Sequence, residues 1–262
     1  MTLEQAVLLG LVQGLTEFLP VSSSGHLAIA QRLLPGFVQP GVVFDVALHL
    51  GTALAVIALE WRRLVEAVRG GFALLLAAQI GVATLATAIV ALPLRGFAEA
   101  AFTRPLLVAA GLAASGIVLL ALPRARADGA AADATPWRTA ALVGLVQGVA
   151  VMPGLSRSGV TIVAGVLGGL ERRWAADFSF LLSVPAVLGA AVVETSVYRK
   201  ELVPLEGLAP ACVAGAVVAA IVGGLAIVLV RRLVHEGQLR HFSWYLLPLA
   251  ALVAASSLLG WM

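Results

Sequence analysis

Residues 10–26, GLVQGLTEFLPVSSSGH, lie over residues 144–160, GLVQGVAVMPGLSRSGV, without a gap, and 8 of the 17 positions are identical. Gly10, Leu11, Val12, Gln13, Gly14, Ser22, Ser24 and Gly25 recur as Gly144, Leu145, Val146, Gln147, Gly148, Ser156, Ser158 and Gly159. Phe44 and Phe178 continue the same offset of 134 residues. Shared apolar composition gives scattered matches. It does not give a shared GLVQG followed by a shared Ser-rich interruption, so the chain reads as a duplication. Both copies are apolar on either side of a short segment holding Pro, Gly and Ser. Proline disfavours helix at the residue before it and lacks a donor. Serine then offers an N-cap for a fresh helix. Each copy is therefore expected to be helix, break, helix.

The medium follows from composition. Of 262 residues, 61% are hydrophobic and 12% charged, with mean hydropathy +1.02. Soluble domains carry about 25% charged residues, so a water-soluble globular enzyme is excluded. Apolar runs near 42–60, 72–92, 105–122, 175–196, 209–230 and 243–261 approach the roughly 20 residues that cross a bilayer. In lipid such runs must be helices, because every backbone polar group has to be satisfied internally. The half-helices of the two broken copies, roughly 12–15 residues each, are too short to cross. They suit re-entrant hairpins whose irregular backbone lines a cavity. Each half then holds one re-entrant hairpin and three spans. Three is odd, so the second half is inverted relative to the first. The expectation is an all-α integral membrane protein: one membrane domain over 1–262, an inverted repeat with halves at about 1–123 and about 135–262.

Charge sets the expected orientation. The net charge is +3, and 16 of the 17 basic residues are Arg, clustered between apolar runs. That pattern fits loops on anionic lipid rather than a nucleic-acid groove. Arg62, Arg63, Arg69, Arg124, Arg126, Arg138, Arg172, Arg173, Arg231, Arg232 and Arg240 fall on one side. Arg32, Arg95, Arg104, Arg199 and Lys200 fall on the other. Basic loops stay cytoplasmic, which puts both termini outside. The N-terminus, MTLEQ, is acidic where a secretion signal is basic, so the first apolar stretch is expected to remain. The single cysteine, Cys212, excludes an intrachain disulfide and a Cys-based zinc site.

Few ionisable residues fall at membrane depth: Glu17, Arg157, Asp45, Asp177 and Glu194. A charge at the bilayer centre costs about 2.5–3.5 kcal/mol even on lenient scales. Glu17 and Arg157 lie in the two breaks, which inversion brings together. A helix restarting after each break presents unpaired N–H groups and a partial positive charge, a natural anion site. Arg157 adds a bidentate donor, and Ser22, Ser23, Ser24, Ser156, Ser158 and Thr161 add hydroxyls. The pocket suits an oxyanion, most simply phosphate. Glu17 and His26 are the acid–base groups in the breaks. Gln13 shares a helix face with Glu17. A carboxylate beside a phosphate site makes sense as a general base or as a divalent-cation ligand. Asp45 and His49, also four apart, are supporting candidates, although Asp45 near a helix start has a structural explanation. Structural alternatives exist for the others too: serines bonding their own backbone, Arg157 as counter-ion to Glu17, His26 as a cap.

QGLTEFLPVSSSGH and PGLSRSGVT resemble the two signature segments of the undecaprenyl-diphosphatase family, the bacitracin-resistance type of membrane phosphatase. FDVALHLGT and FSFLLSVPA resemble its flanking segments in the same order. The resemblance covers nearly the whole chain. It implies a multi-pass enzyme of the bacterial cytoplasmic membrane that hydrolyses undecaprenyl diphosphate to the monophosphate and inorganic phosphate. That recycles the lipid carrier for peptidoglycan synthesis and confers bacitracin resistance. The family's E/Q-x-x-x-E motif falls on Gln13 and Glu17, its V-S-S serine on Ser23 and its histidine on His26. Its P-G-x-S-R-S-G motif falls on Ser156, Arg157 and Ser158, with Thr161 following. Gln13 replaces the glutamate of many members, removing one acidic ligand from a metal site. The resemblance implies Mg²⁺ or Ca²⁺, with Glu17 as ligand, and no organic cofactor. Expected partners are a polyprenyl diphosphate and membrane lipid, with no nucleic acid. The expected mechanism admits the diphosphate from the external face. Arg157 and the helix starts neutralise it, Glu17 acts as base on Ser23 or on water, and His26 protonates the leaving phosphate or assists the base. Broken inverted repeats also occur in transporters, so a flippase or carrier for a polyprenyl phosphate is the alternative.

Overall fold

The computed structural model describes residues 1–38, 42–122, 129–197 and 208–260; Arg124, Arg126, Arg199 and Lys200 lie outside them. Ten α-helices carry the described residues: α1 (Leu3–Phe18), α2 (Ser23–Leu33), α3 (Val42–Arg69), α4 (Ala73–Phe102), α5 (Pro105–Leu120), α6 (Trp137–Val149), α7 (Arg157–Leu167), α8 (Arg172–Val197), α9 (Ala209–His235) and α10 (Ser243–Leu258). Both sequence breaks are present, between α1 and α2 and between α6 and α7. α3, α4, α8, α9 and the segment Leu239–Leu258 are long and apolar enough to cross a membrane. The chain is thus an all-helical, multi-pass membrane protein. The run near 105–122 forms α5, whose 16 residues reach roughly 24 Å, short of the roughly 30 Å hydrocarbon core.

The two broken segments are closed in the same way. Gln5 at the start of α1 donates from Nε2 to the Pro35 carbonyl beyond α2 at 3.2 Å. Thr139 at the start of α6 donates from Oγ1 to the Gly168 carbonyl beyond α7 at 2.7 Å. Each bond ties the start of the first half-helix to the chain just beyond the second. α1 packs along α9, and α6 packs along α4, with glycines at the contacts. A Cβ on Gly10 would lie 2.6 Å from the Gly215 carbonyl oxygen, and one on Gly14 would lie 2.9 Å from that of Ala219. Gly144 presses the same way on Ala83, and Gly148 on Thr87. Only a missing side chain lets the backbones approach this closely, as small residues do in membrane helix packing. Numbers rise together along both pairs, so α1 runs parallel to α9 and α6 parallel to α4.

Sequence and structure differ at the basic side. Arg63 and Arg231, expected in loops, lie inside α3 and α9, and Asp177 of α8 is fully buried. Arg231 donates from Nε to Asp177 at 2.8 Å and from Nη2 to Glu60. Arg63 pairs with Glu60 at 3.2 Å and with Asp177. Both carboxylates are 0% exposed. Four charges thus neutralise one another where α3, α8 and α9 meet, which lets α3 continue to Arg69 rather than end near residue 60. Removing one partner of a buried pair strands the others, at a cost of about 3–5 kcal/mol. Arg231→Ala is therefore expected to lower the thermal midpoint in detergent by roughly ten degrees. A midpoint equal to that of the parent would contradict the role given to this cluster.

Candidate active site

Each break is built by local chemistry. α1 ends at Phe18, Pro20 follows, and Ser22 caps α2, its Oγ accepting from the Gly25 N–H at 3.3 Å. Ser22 has φ 71°, the one positive φ outside glycine among the described residues. Gly154 (φ 82°) turns the second break, and Ser156 caps α7, accepting from the Gly159 N–H at 3.1 Å. A Cβ on Gly154 would strike the Val108 carbonyl of α5. Ser115 of α5 holds the same turn by accepting from the Ser156 N–H at 2.7 Å.

The breaks touch. Ser158 Oγ donates to the Leu19 carbonyl at 3.1 Å. Arg157, first residue of α7, pairs through Nη2 with Glu17 Oε1 near the end of α1. Ser23, first residue of α2, donates from Oγ to Glu17 Oε2 at 2.6 Å. Ser23 and Arg157 occupy equivalent positions of the two copies, and both grip the same carboxylate. Gln13 Nε2 lies 2.9 Å from Glu17 Oε2 and 2.9 Å from His49 Nδ1. The amide N–H donates to the carboxylate, and His49 Nδ1 itself lies 3.6 Å from Glu17 Oε2. The His49 side chain is 37% exposed.

A cleft of about 280 Å³ opens over this group. Glu17, Ser22, Ser23, Ser24, His49, Ser156 and Arg157 line it. Gln13 is fully buried behind Glu17. Ser158 braces the breaks instead of facing the cleft. Three other placements also depart from expectation. Thr161 is 0% exposed; its hydroxyl bonds the Arg157 carbonyl at 2.7 Å and Ser179 Oγ at 2.6 Å, so it supports α7 from behind. His26 is drawn off by its neighbours. Nδ1 lies 2.8 Å from the Ser22 carbonyl, Nε2 lies 2.7 Å from Tyr245 Oη, and the ring stacks on Tyr245. It lines a second cavity of about 590 Å³ with Leu15, Leu233 and Phe242. Asp45 lies a turn from His49, with Gln31 Nε2 3.5 Å away, and does not line the cleft. Sequence reasoning missed Thr87, Gln147 and Glu194 as lining residues. Gln147 was findable as the duplicate of Gln13; its Nε2 donates to Thr87 at 3.1 Å.

The bacitracin resistance protein BacA family model matches residues 6–252. The chain belongs to this family. It is 42% identical to the undecaprenyl-diphosphatase of Moorella thermoacetica over 264 residues, covering 97% of this chain and 98% of that protein. It is 40% identical to the undecaprenyl-diphosphatase of Syntrophotalea carbinolica, covering 94% and 95%. That of Desulforapulum autotrophicum is 36% identical, with 94% and 95% covered. The family match spans both breaks and every lining residue of the cleft.

Ser22 carries a backbone conformation that costs about 1–3 kcal/mol for a residue with a Cβ. Ser22→Gly relieves it and keeps a tolerated cap, so its thermal midpoint is expected to equal or exceed the parent's. Ser22→Val is expected to fall well below. The reverse order in a detergent melt would refute a strained turn.

Proposed function

We propose that the chain hydrolyses undecaprenyl diphosphate to undecaprenyl phosphate and inorganic phosphate, recycling the lipid carrier for peptidoglycan synthesis, with the Glu17–Ser23–Arg157 cleft as its active site. The observation that carries this reading is the 2.6 Å hydrogen bond from Ser23 Oγ to a carboxylate that also holds an arginine. A nucleophile, its base and an anion-binding guanidinium share one cleft. The names of the relatives agree with it.

In this reading the diphosphate competes with Glu17 for Arg157. As the guanidinium turns to the phosphate oxygens, the carboxylate is freed to take the Ser23 proton. Ser23 Oγ attacks the terminal phosphorus, the bond to the bridging oxygen breaks, and polyprenyl phosphate leaves with that oxygen. The α2 and α7 N-termini and Arg157 hold the equatorial oxygens, since charge stabilisation and positioning dominate phosphoryl transfer. His49 lines the cleft and His26 does not, so in this reading His49 donates a hydrogen bond to the leaving oxygen. Water then attacks the phosphoserine, the proton held by Glu17 returns to Ser23 Oγ as its bond to phosphorus breaks, and inorganic phosphate leaves carrying the protons of the water.

The residues present do not fit a resident Mg²⁺ or Ca²⁺. Both Glu17 oxygens are engaged, Gln13 supplies an amide N–H where a second carboxylate would stand, and no three His, Cys, Asp or Glu side chains converge among the described residues. No step above uses a metal. A carrier for a polyprenyl phosphate needs the anion site but gives Ser23 and Glu17 no reason to be hydrogen-bonded.

The architecture proposed is an inverted repeat of halves at about 1–123 and about 135–262, each with a re-entrant hairpin. It is supported by the matching closures at Gln5 and Thr139. The parallel pairs α1–α9 and α6–α4 support it too. By the charge rule the Arg-rich end is cytoplasmic, the termini are external, and the cleft opens outward in the cytoplasmic membrane.

Phosphate release from undecaprenyl diphosphate in nanodiscs tests the chemistry. Glu17→Gln and Arg157→Ala are each expected to lower kcat by about a hundredfold or more, and Ser23→Ala to abolish turnover. Acid quenching should trap phosphate on Ser23. His49→Ala is expected to slow turnover more than His26→Ala. Near-parental rates in Arg157→Ala or Glu17→Gln would refute the assignment, and turnover in Ser23→Ala would transfer the attack to water.

A further inference from the structure

A second depression of about 300 Å³ continues from the cleft between α4 and α8. The two share Thr87, Ala91, Val151, Ala186, Ala190 and Glu194 as walls. On α4 the groove runs from Thr84 to Phe102, roughly 27 Å of helix. On α8 it runs from Pro185 to Glu194. Most of its sides are small or apolar, among them Ala88, Leu92, Ala98, Gly189 and Val193, and the charged groups on it are Glu194 at the cleft and the Arg95–Glu99 pair towards Phe102. Leu92 on its α4 wall is 57% exposed, so the groove is open to the outside there. A Cβ on Gly189 would meet nothing within 4 Å, so the space is open at that point.

We infer that the α4–α8 groove is the seat of the substrate's polyprenyl chain, guiding a long isoprenoid from the diphosphate cleft into the surrounding lipid. The inference rests on the phosphatase reading and adds where the chain lies. The cleft itself is walled by serines, Glu17, His49 and Arg157 on the break side, which suits the diphosphate and not an alkyl tail. The side of the cleft opposite the breaks is apolar, and its Ala91, Ala186 and Ala190 lead without interruption to Ala88, Leu92, Gly189 and Val193 of the groove. In a bilayer an apolar groove gains nothing by excluding water, because lipid is equally apolar. Its effect is steric: contact along the groove fixes the direction in which the tail leaves, and so aligns the terminal phosphate over Ser23. A short chain ends within or near the cleft, and a long one must follow the wall.

Gly189→Trp fills the groove without displacing a packed neighbour. Gly96→Trp is the control, because Gly96 also has open space around its Cβ but does not line the groove. The substrates are undecaprenyl diphosphate in nanodiscs and water-soluble geranyl diphosphate. Gly189→Trp is expected to raise KM for the long substrate about tenfold, a loss of roughly 1.4 kcal/mol of contact, while geranyl diphosphate kinetics and the Gly96→Trp variant stay at parental values. Equal effects on both substrates, or on neither, overturn the inference. A benzophenone-tipped long-chain prenyl diphosphate gives a readout independent of turnover. Photolabel is expected in peptides of 84–102 and 185–194, and label confined to other helices overturns the inference. Absence of turnover on both substrates in the parent protein, with label in these peptides, would refute the phosphatase reading and leave the groove assignment standing.

Discussion

The pair between Glu17 and Arg157 joins two interrupted helices that are 140 residues apart in the chain. An ionised carboxylate at this depth is tolerable only with a partner, and the partner lies in the other broken segment. The pair therefore requires the breaks to meet, and meeting is what converges the two helix starts. Around it the remaining polar groups fall into place: Ser23 on one carboxylate oxygen, Gln13 behind, and Ser158 tying the breaks through the Leu19 carbonyl. In the proposed mechanism, anion binding and proton acceptance are alternative states of the same contact, so the site is stable when empty and reactive when filled.

Duplication explains the geometry, and departure from it explains the chemistry. Ser22 and Ser156 cap their helices in the same way. In both breaks the cap hydroxyl lies 3.3 Å from the serine hydroxyl two residues on. Between those serines, one copy carries Ser23 and the other Arg157. The position of Glu17 is taken by Val151 in the second copy. A symmetric ancestor would present the same groups from both sides. Here one half supplies a hydroxyl and the carboxylate it is bonded to, and the other supplies the positive charge.

The parts of this arrangement that were legible in the sequence are those set by short-range chemistry. Pro20, Ser22, Gly154 and Ser156 mark the breaks by backbone preference alone, and the repeat brings Glu17 to Arg157. The parts that were not legible depend on distant helices. His26 looks like the acid–base histidine, yet Tyr245 of α10 holds its ring in another cavity. His49 takes the position in the cleft because Gln13 orients it. Arg63 and Arg231 read as loop markers, since hydropathy cannot distinguish a charge that ends a helix from one that meets Glu60 and Asp177 inside the protein. Thr161 reads as a ligand because its side chain is polar, and its hydroxyl is spent on its own helix.

The knot of Glu60, Arg63, Asp177 and Arg231 contains two positive and two negative groups in contact. A transmembrane voltage does about 2.3 kcal/mol of work per elementary charge per 100 mV, but only on charge that is not cancelled. Rigid displacement of this knot through the electric field costs almost nothing. The junction of α3, α8 and α9 is accordingly indifferent to whether the cell is energised or depolarised.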